Sequence, residues 1–196
     1  MVRAVPYGAT SPLMVTFQAG SQGEWQVVRQ STRIGEDLPV AGRIGIGNGD
    51  ATGAAIWTLS GFTSNLRYTT APERLKLDAR SAPLGRSEAR MAALVPIRKS
   101  AAWWTLAQDE RRAVYERSGH TPIGLGYLPG IARRLHHCRD LGEPFDFLTW
   151  FEFEPELEGE FDDLLARLRI TEEWRYIDRE IDIRLIRADS ASGSAG

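Results

Sequence analysis

The chain changes texture near its middle. Residues 1–85 carry short apolar runs, MVTFQAG and AAIWTLSGF, separated by turn signals at SQG, GNGD and TGA. This pattern predicts short strands joined by loops. Residues 91–187 are more sharply patterned. MAALVPIR (91–98) is a mainly apolar run that ends in charge, as a buried strand does. AQDERRAVYER (107–117) gathers helix formers, acidic early and with Arg117 late, the order the helix dipole favours. In IARRLHHCR (131–139), Ile131, Arg133, Leu135 and His137 share one face if the segment is extended. A helix is the alternative there, because the run has no strong β preference. DLGEP (140–144) is a turn by composition, and FDFLTWFEF (145–153) is an aromatic strand of alternating polarity. PELEGEFDDLLARLR (155–169) sets Leu157, Phe161, Leu164, Leu165 and Leu168 at helical spacing. WRYIDREIDIRLIR (174–187) alternates again, with Ile181, Ile183 and Leu185 opposing Asp182, Arg184 and Ile186.

The resulting order, β-α-β-β-α-β, is the split arrangement of ferredoxin-like folds. It packs helices on one face of an antiparallel sheet and leaves the other face needing cover. Strands from residues 1–85 are positioned to supply that cover and close a barrel-like sandwich. The expected protein is therefore α+β. A degenerate, β-rich, ferredoxin-like half spans 1–88, a complete ferredoxin-like half spans 89–188, and a small, polar, disordered tail spans 189–196. No internal repeat is visible at the level of residue identity.

Composition narrows the partners. Hydrophobic residues make up 42% and charged residues 26%, ordinary for a globular domain, and the net charge is −2. Such a balance gives no general attraction to nucleic acid or anionic membranes, so neither is expected as a principal partner. Cys138 is the sole cysteine, which excludes an internal disulfide and favours a reducing compartment. Residues 1–10 lack the apolar core of a secretory signal and no run approaches a membrane span, so a cytoplasmic location is expected.

One region is chemically loaded: it holds His120, His136, His137, Cys138, Arg133, Arg134 and Arg139. Arg133 interrupts an otherwise apolar alternating face, so it is either ion-paired or functional. A zinc site from His136, His137 and Cys138 is disfavoured, because strand neighbours point to opposite faces. GRIGIGNGD (42–50) is glycine-rich, but no helical pattern follows it, which argues for a loop rather than a phosphate cradle.

VPIRKSAAWW (95–104), HTPIGLGYLPGIARRLHHCRDL (120–141) and DFLTWFE (146–152), with FTSNLRYTT (62–70) as a weaker upstream echo, resemble the chlorite dismutase family of haem proteins. The resemblance implies a dimeric α+β barrel with one haem b per subunit, and a short N-terminal half like that of the small-subunit, dimeric lineage. It implies that His120 is the proximal ligand of the haem iron. Arg133, thirteen residues on, stands at the distal catalytic position, and Glu173, fifty-three residues after His120, at that of the carboxylate bonded to the ligand's other nitrogen. Glu172 is the adjacent alternative. Lys99, Trp103 and Trp104 match a Lys-Trp-Trp constellation, in which Lys99 suits a haem propionate and Trp103 a flat apolar wall. Trp104 is equally readable as a core or interface aromatic, and His137 as a packing residue.

The implied reaction converts the oxyanion chlorite to chloride and dioxygen in a homodimer. Arg133 would retain a hypochlorite-like product before the O–O bond forms. Decarboxylating relatives that act on coproheme use a tyrosine four residues before the lysine, where this chain has Val95, and they tend to lack the distal arginine. The alternatives are a haem-dependent peroxidase or coproheme-related enzyme, a haem-binding or haem-delivery protein, and a haem-free barrel of the same fold.

Overall fold

The computed structural model describes residues 13–47, 54–63 and 68–188. The expected tail at 189–196 and the middle of the upstream echo, 64–67, lie outside the described residues. The N-terminal region contributes four strands, β1 (Met14–Gly20), β2 (Trp25–Ile34), β3 (Arg43–Gly47) and β4 (Trp57–Thr63). A helix absent from the sequence reading follows, α1 (Ala71–Arg80). Next come β5 (Met91–Lys99), α2 (Ala101–Thr105), α3 (Gln108–Arg117), α4 (His120–Leu125) and β6 (Ala132–His137). β7 (Phe147–Phe153), α5 (Glu158–Arg169) and β8 (Ile177–Arg187) complete the chain.

The described strands close an antiparallel barrel in the order β1-β3-β2-β8-β5-β7-β6-β4. Each half has the same internal arrangement, β4-β1-β3-β2 in the first and β8-β5-β7-β6 in the second. The halves differ in how the chain crosses between strands. In the second, α2–α4 and α5 carry the crossovers. In the first, residues 21–24 step over β3 directly, which demands closeness that only Gly23 allows. Its φ is +136°, and a Cβ there would lie 2.4 Å from the Ile44 carbonyl. Arg43 clamps the crossing by donating to the Gly23 carbonyl at 3.0 Å.

Period-two alternation sorts the sheet into two faces. Inward residues of both halves, among them Phe17, Trp25, Ile44, Leu59, Leu94, Trp150, Ile181 and Ile183, fill the barrel. Outward residues of the second half pack under helices: Val95, Ile97, Phe151 and Phe153 meet Phe161, Leu164, Leu165 and Leu168 of α5. Burying each of those large apolar side chains contributes about 1.5–3 kcal/mol, so the α5 stripe is a principal anchor of the helical layer.

Three boundaries differ from the expected ones, each for a local reason. The extended option at 131–139 is the one formed: β6 pairs with β7 from Ala132↔Glu152 to His137↔Phe147. β7 begins at Phe147, after the Asp146 carboxylate has accepted the Lys99 backbone N–H at 2.7 Å. Before β8, Glu173–Tyr176 form a 3₁₀ turn, fixed by the Trp174 indole donating to Glu180 at 2.8 Å. α1 carries a signature legible in TAPE. Thr70 accepts from the Glu73 N–H, the Glu73 carboxylate accepts from the Thr70 N–H, and Pro72 sits in the first turn.

Candidate active site

Between the outer face of β5-β7-β6 and the helical layer lies a cavity of about 1040 Å³, including its mouth to solvent. Its walls are mostly apolar: Val95, Ile97, Leu135, Phe147, Phe151 and Leu164 face into it. Of the sequence-nominated residues, His120, Glu173, Lys99 and Arg133 line the cavity and Trp103 does not.

His120 opens α4 immediately after Gly119, whose φ of +62° turns the chain sharply out of α3. The Ser118 hydroxyl accepts the Glu173 N–H at 2.8 Å and so pins the 3₁₀ turn against this corner. The result places His120 Nδ1 2.7 Å from Glu173 Oε2. The Tyr115 ring stacks on the imidazole, centroids 4.6 Å apart and planes 20° from parallel. Hydrogen bond and stack together fix the ring's rotation, leaving Nε2 as its second nitrogen for a ligand or metal. Of the two adjacent carboxylates, Glu173 is the one that reaches His120. Glu172 is occupied at the surface in a forked pair with Arg117 at 2.8 and 2.9 Å.

Glu173 Oε1 accepts from Lys99 Nζ at 2.8 Å, with both side chains almost fully buried. Burial pushes the Glu173 carboxyl up, but the electrostatic pull of His120 and Lys99 and their hydrogen bonds prevail. They hold it well below the ordinary carboxylate range. For Lys99, burial pushes the ammonium down against the pull of Glu173. The short contact to a carboxylate held ionised makes this a charged pair.

This arrangement bears on two expectations. Lys99 is committed to Glu173 rather than standing free for a propionate, because an uncompensated buried carboxylate would be strongly destabilising. Trp103 is not a cavity wall. It is fully buried behind Lys99, whose ammonium lies 4.3 Å over its ring, and it packs edge-on against Tyr68 and Tyr176. Trp104 donates to Asp146 at 3.2 Å and lies under the Arg139 guanidinium, away from the cavity.

Arg133 projects from the sheet wall and is half-buried. Among the described residues its guanidinium makes neither a hydrogen bond nor an ion pair. Burial pushes its pKa down from the ordinary arginine value, and only the Tyr115 phenol acts in the opposite direction. A permanent charge facing a cavity without a counter-ion is suited to an anionic ligand.

His136 and Cys138 take no part. His136 Nδ1 is 2.9 Å from the Thr63 hydroxyl, with burial pushing its pKa down to about 4. The Cys138 thiol donates to the Phe145 carbonyl at 3.0 Å, and burial pushes it up. His137 packs edge-on against Phe147 at 5.3 Å. Among the described residues, no group of three or more His, Cys, Asp or Glu side chains is arranged to hold a metal ion. No helix there is long and apolar enough to cross a membrane.

Sequence reasoning missed Tyr68, Tyr115, Tyr127 and Thr149, all of which line the cavity. Tyr68 is the one non-glycine residue at positive φ (65°) among those described, and its buried hydroxyl has no partner. Its carbonyl accepts from Arg112, which also pairs with Glu73 at 2.9 Å, so α1 and α3 jointly hold this strained turn. Thr149 did leave a signal: it is the polar position between Phe147 and Phe151 on the cavity-facing alternation of β7.

The family model for chlorite dismutase matches residues 52–187. The chain belongs to the chlorite dismutase family. This is a haem-dependent family. Chlorite dismutase from Ideonella dechloratans is 30% identical over 121 residues, 61% of this chain and 41% of that protein. The chain thus spans well under half the length of this curated relative. The structure of a dimeric chlorite dismutase from Nitrobacter winogradskyi is 50% identical, with a TM-score of 0.82, covering 88% of this chain and 99% of that one. Chlorite dismutase from Candidatus Nitrospira defluvii in complex with imidazole is 26% identical, with a TM-score of 0.54, over 72% of this chain and 56% of that one.

Proposed function

We propose that the protein is a haem b-dependent chlorite dismutase that converts chlorite to chloride and dioxygen. The observation that carries this reading is the His120–Glu173 pair in a largely apolar cavity whose sheet wall presents Arg133, unpaired among the described residues. The cavity fits the group: its walls are apolar, it offers one imidazole oriented through Nδ1, and the buried Tyr68 hydroxyl lacks a partner.

His120 would hold the iron through Nε2, and Glu173 would keep the proton on Nδ1 and increase the ring's donor strength. Tyr68 has a buried hydroxyl with no hydrogen-bond partner among the described residues, suited to a haem carboxylate in place of Lys99. Haem, when bound, supplies oxygen-atom transfer chemistry at iron. Arg133 attracts the chlorite anion, holds its charge while the Cl–O bonds break, and prevents hypochlorite from escaping before both oxygens leave as dioxygen. Electrons balance within the substrate: chlorine gains four and the two oxygens lose four, so no external donor is required. The apolar walls exclude bulk water, which strengthens the Arg133–anion interaction.

The two halves with the same strand order support reading 1–88 as a degenerate ferredoxin-like unit and 89–188 as the haem-binding one. The likeness to a dimeric enzyme supports a homodimer. The test is oxygen evolution, followed with an oxygen electrode, on adding chlorite to haem-loaded protein. Stoichiometric haem binding without oxygen release would refute the activity and leave a haem-binding protein. Failure to acquire a Soret band would refute the haem site itself.

A further inference from the structure

The geometry points to Thr149 as a second substrate-binding residue, which pairs with Arg133 to bind a bent oxyanion at two points; the inference rests on the proposed haem-dependent reaction. Most polar groups lining the cavity are already engaged. His120, Glu173 and Lys99 are bonded to one another, Tyr127 is bonded to Asp163, and Tyr115 accepts from Thr121. On the sheet wall only Arg133 and Thr149 carry polar groups with no hydrogen-bond partner among the described residues.

Strand register brings the two together. Thr149 on β7 stands directly between Val95 of β5 and Leu135 of β6, and Arg133 pairs with Phe151, one step along the same face. Arg133 and Thr149 are therefore diagonal neighbours on one face, their backbones roughly 7–8 Å apart in an antiparallel pair. Both side chains line the cavity, where a bent anion can accept one hydrogen bond from each.

Packing alone gives no reason for a hydroxyl at this point. Val95, Leu135, Phe147 and Phe151 surround it, and a valine would match the threonine in shape and strand preference without leaving a polar atom unpaired. Arg133 supplies charge, whereas Thr149 supplies a directed neutral donor, so the pair distinguishes an anion with two accepting oxygens from a ligand with one contact point.

The test uses haem-loaded wild type, Thr149→Val and Thr149→Ser, titrated optically with nitrite, a bent oxyanion, and with imidazole, a neutral iron ligand. Thr149→Val is expected to bind nitrite about tenfold more weakly, or ~1.4 kcal/mol. Thr149→Ser should restore the affinity, imidazole binding should be unchanged, and the melting temperature of Thr149→Val should equal or exceed that of wild type. Wild-type nitrite affinity in Thr149→Val would overturn the inference. So would a loss of nitrite affinity accompanied by equal loss of imidazole binding and a lower melting temperature, the mark of a purely structural residue. If wild type itself shows no Soret band, the haem reading falls and this inference with it, an outcome distinct from the other two.

Discussion

Replacing Lys99 with Met tests the central electrostatic arrangement of the cavity. Lys99 and Glu173 are each 6% exposed and 2.8 Å apart, so neither charge is compensated by water when the other is removed. Removing one partner of a buried ion pair destabilises by about 3–5 kcal/mol. The lower end applies here, because His120 remains hydrogen-bonded to the other Glu173 oxygen and offsets part of the stranded charge. At 2–4 °C per kcal/mol for a chain of this size, the melting temperature should fall by roughly 6–12 °C at neutral pH.

The effect has a pH signature. Glu173 is depressed in the folded protein, so its contribution to stability is present above the unfolded carboxylate pKa of ~4.3 and is lost as pH falls toward the folded value. Lys99→Met weakens that depression. The gap between wild type and variant should therefore be widest near neutrality and should narrow below about pH 4. Thermal unfolding of the haem-free proteins across pH is the assay. Equal melting temperatures at pH 7, or a gap that appears only in haem-loaded samples, would refute the reasoning and restore Lys99 as a propionate partner.

Arg133→Ala should keep or slightly raise the melting temperature, because the guanidinium has no ion pair among the described residues to lose, while oxygen yield per chlorite falls and haem bleaching per turnover rises; a clear loss of stability would mark Arg133 as structural. Glu173→Gln should raise the ferric/ferrous midpoint potential by weakening the donor strength of His120. Glu172→Gln, which breaks only the exposed pair with Arg117, should leave the potential in place, and the reverse pattern would identify the wrong carboxylate. Incubation with coproheme and peroxide should yield little haem b by chromatography, since Val95 offers no oxidisable phenol; rapid, stoichiometric conversion would place the chain's activity with the decarboxylases.

The second half of the molecule was legible in the sequence because its information is local. Period-two runs in β5, β7 and β8 and the 3.6-residue stripe of α5 name both the element and its buried face. His120, Arg133 and Glu173 were nominated by ordered spacing, and each does line the cavity. α1 was legible in principle from TAPE but was masked by the glycine- and threonine-rich texture around it. Other features had no local signal. Lys99 and Glu173 are 74 residues apart, and nothing along the chain says that a lysine beside two tryptophans will be used by a carboxylate on a distant 3₁₀ turn. The same holds for the preference for Glu173 over Glu172, which depends on Arg117 and Ser118 at the end of α3. Tyr68 reaches the cavity only because α1 and α3 hold its turn, and the alternation of β7 singles out Thr149 without saying that its neighbours leave the hydroxyl unpaired. The sequence by itself determined which residues have the right chemistry. Tertiary structure decided which of them remain unpaired, since a charge or hydroxyl is free for a ligand only when no neighbour brought by the fold has already taken it.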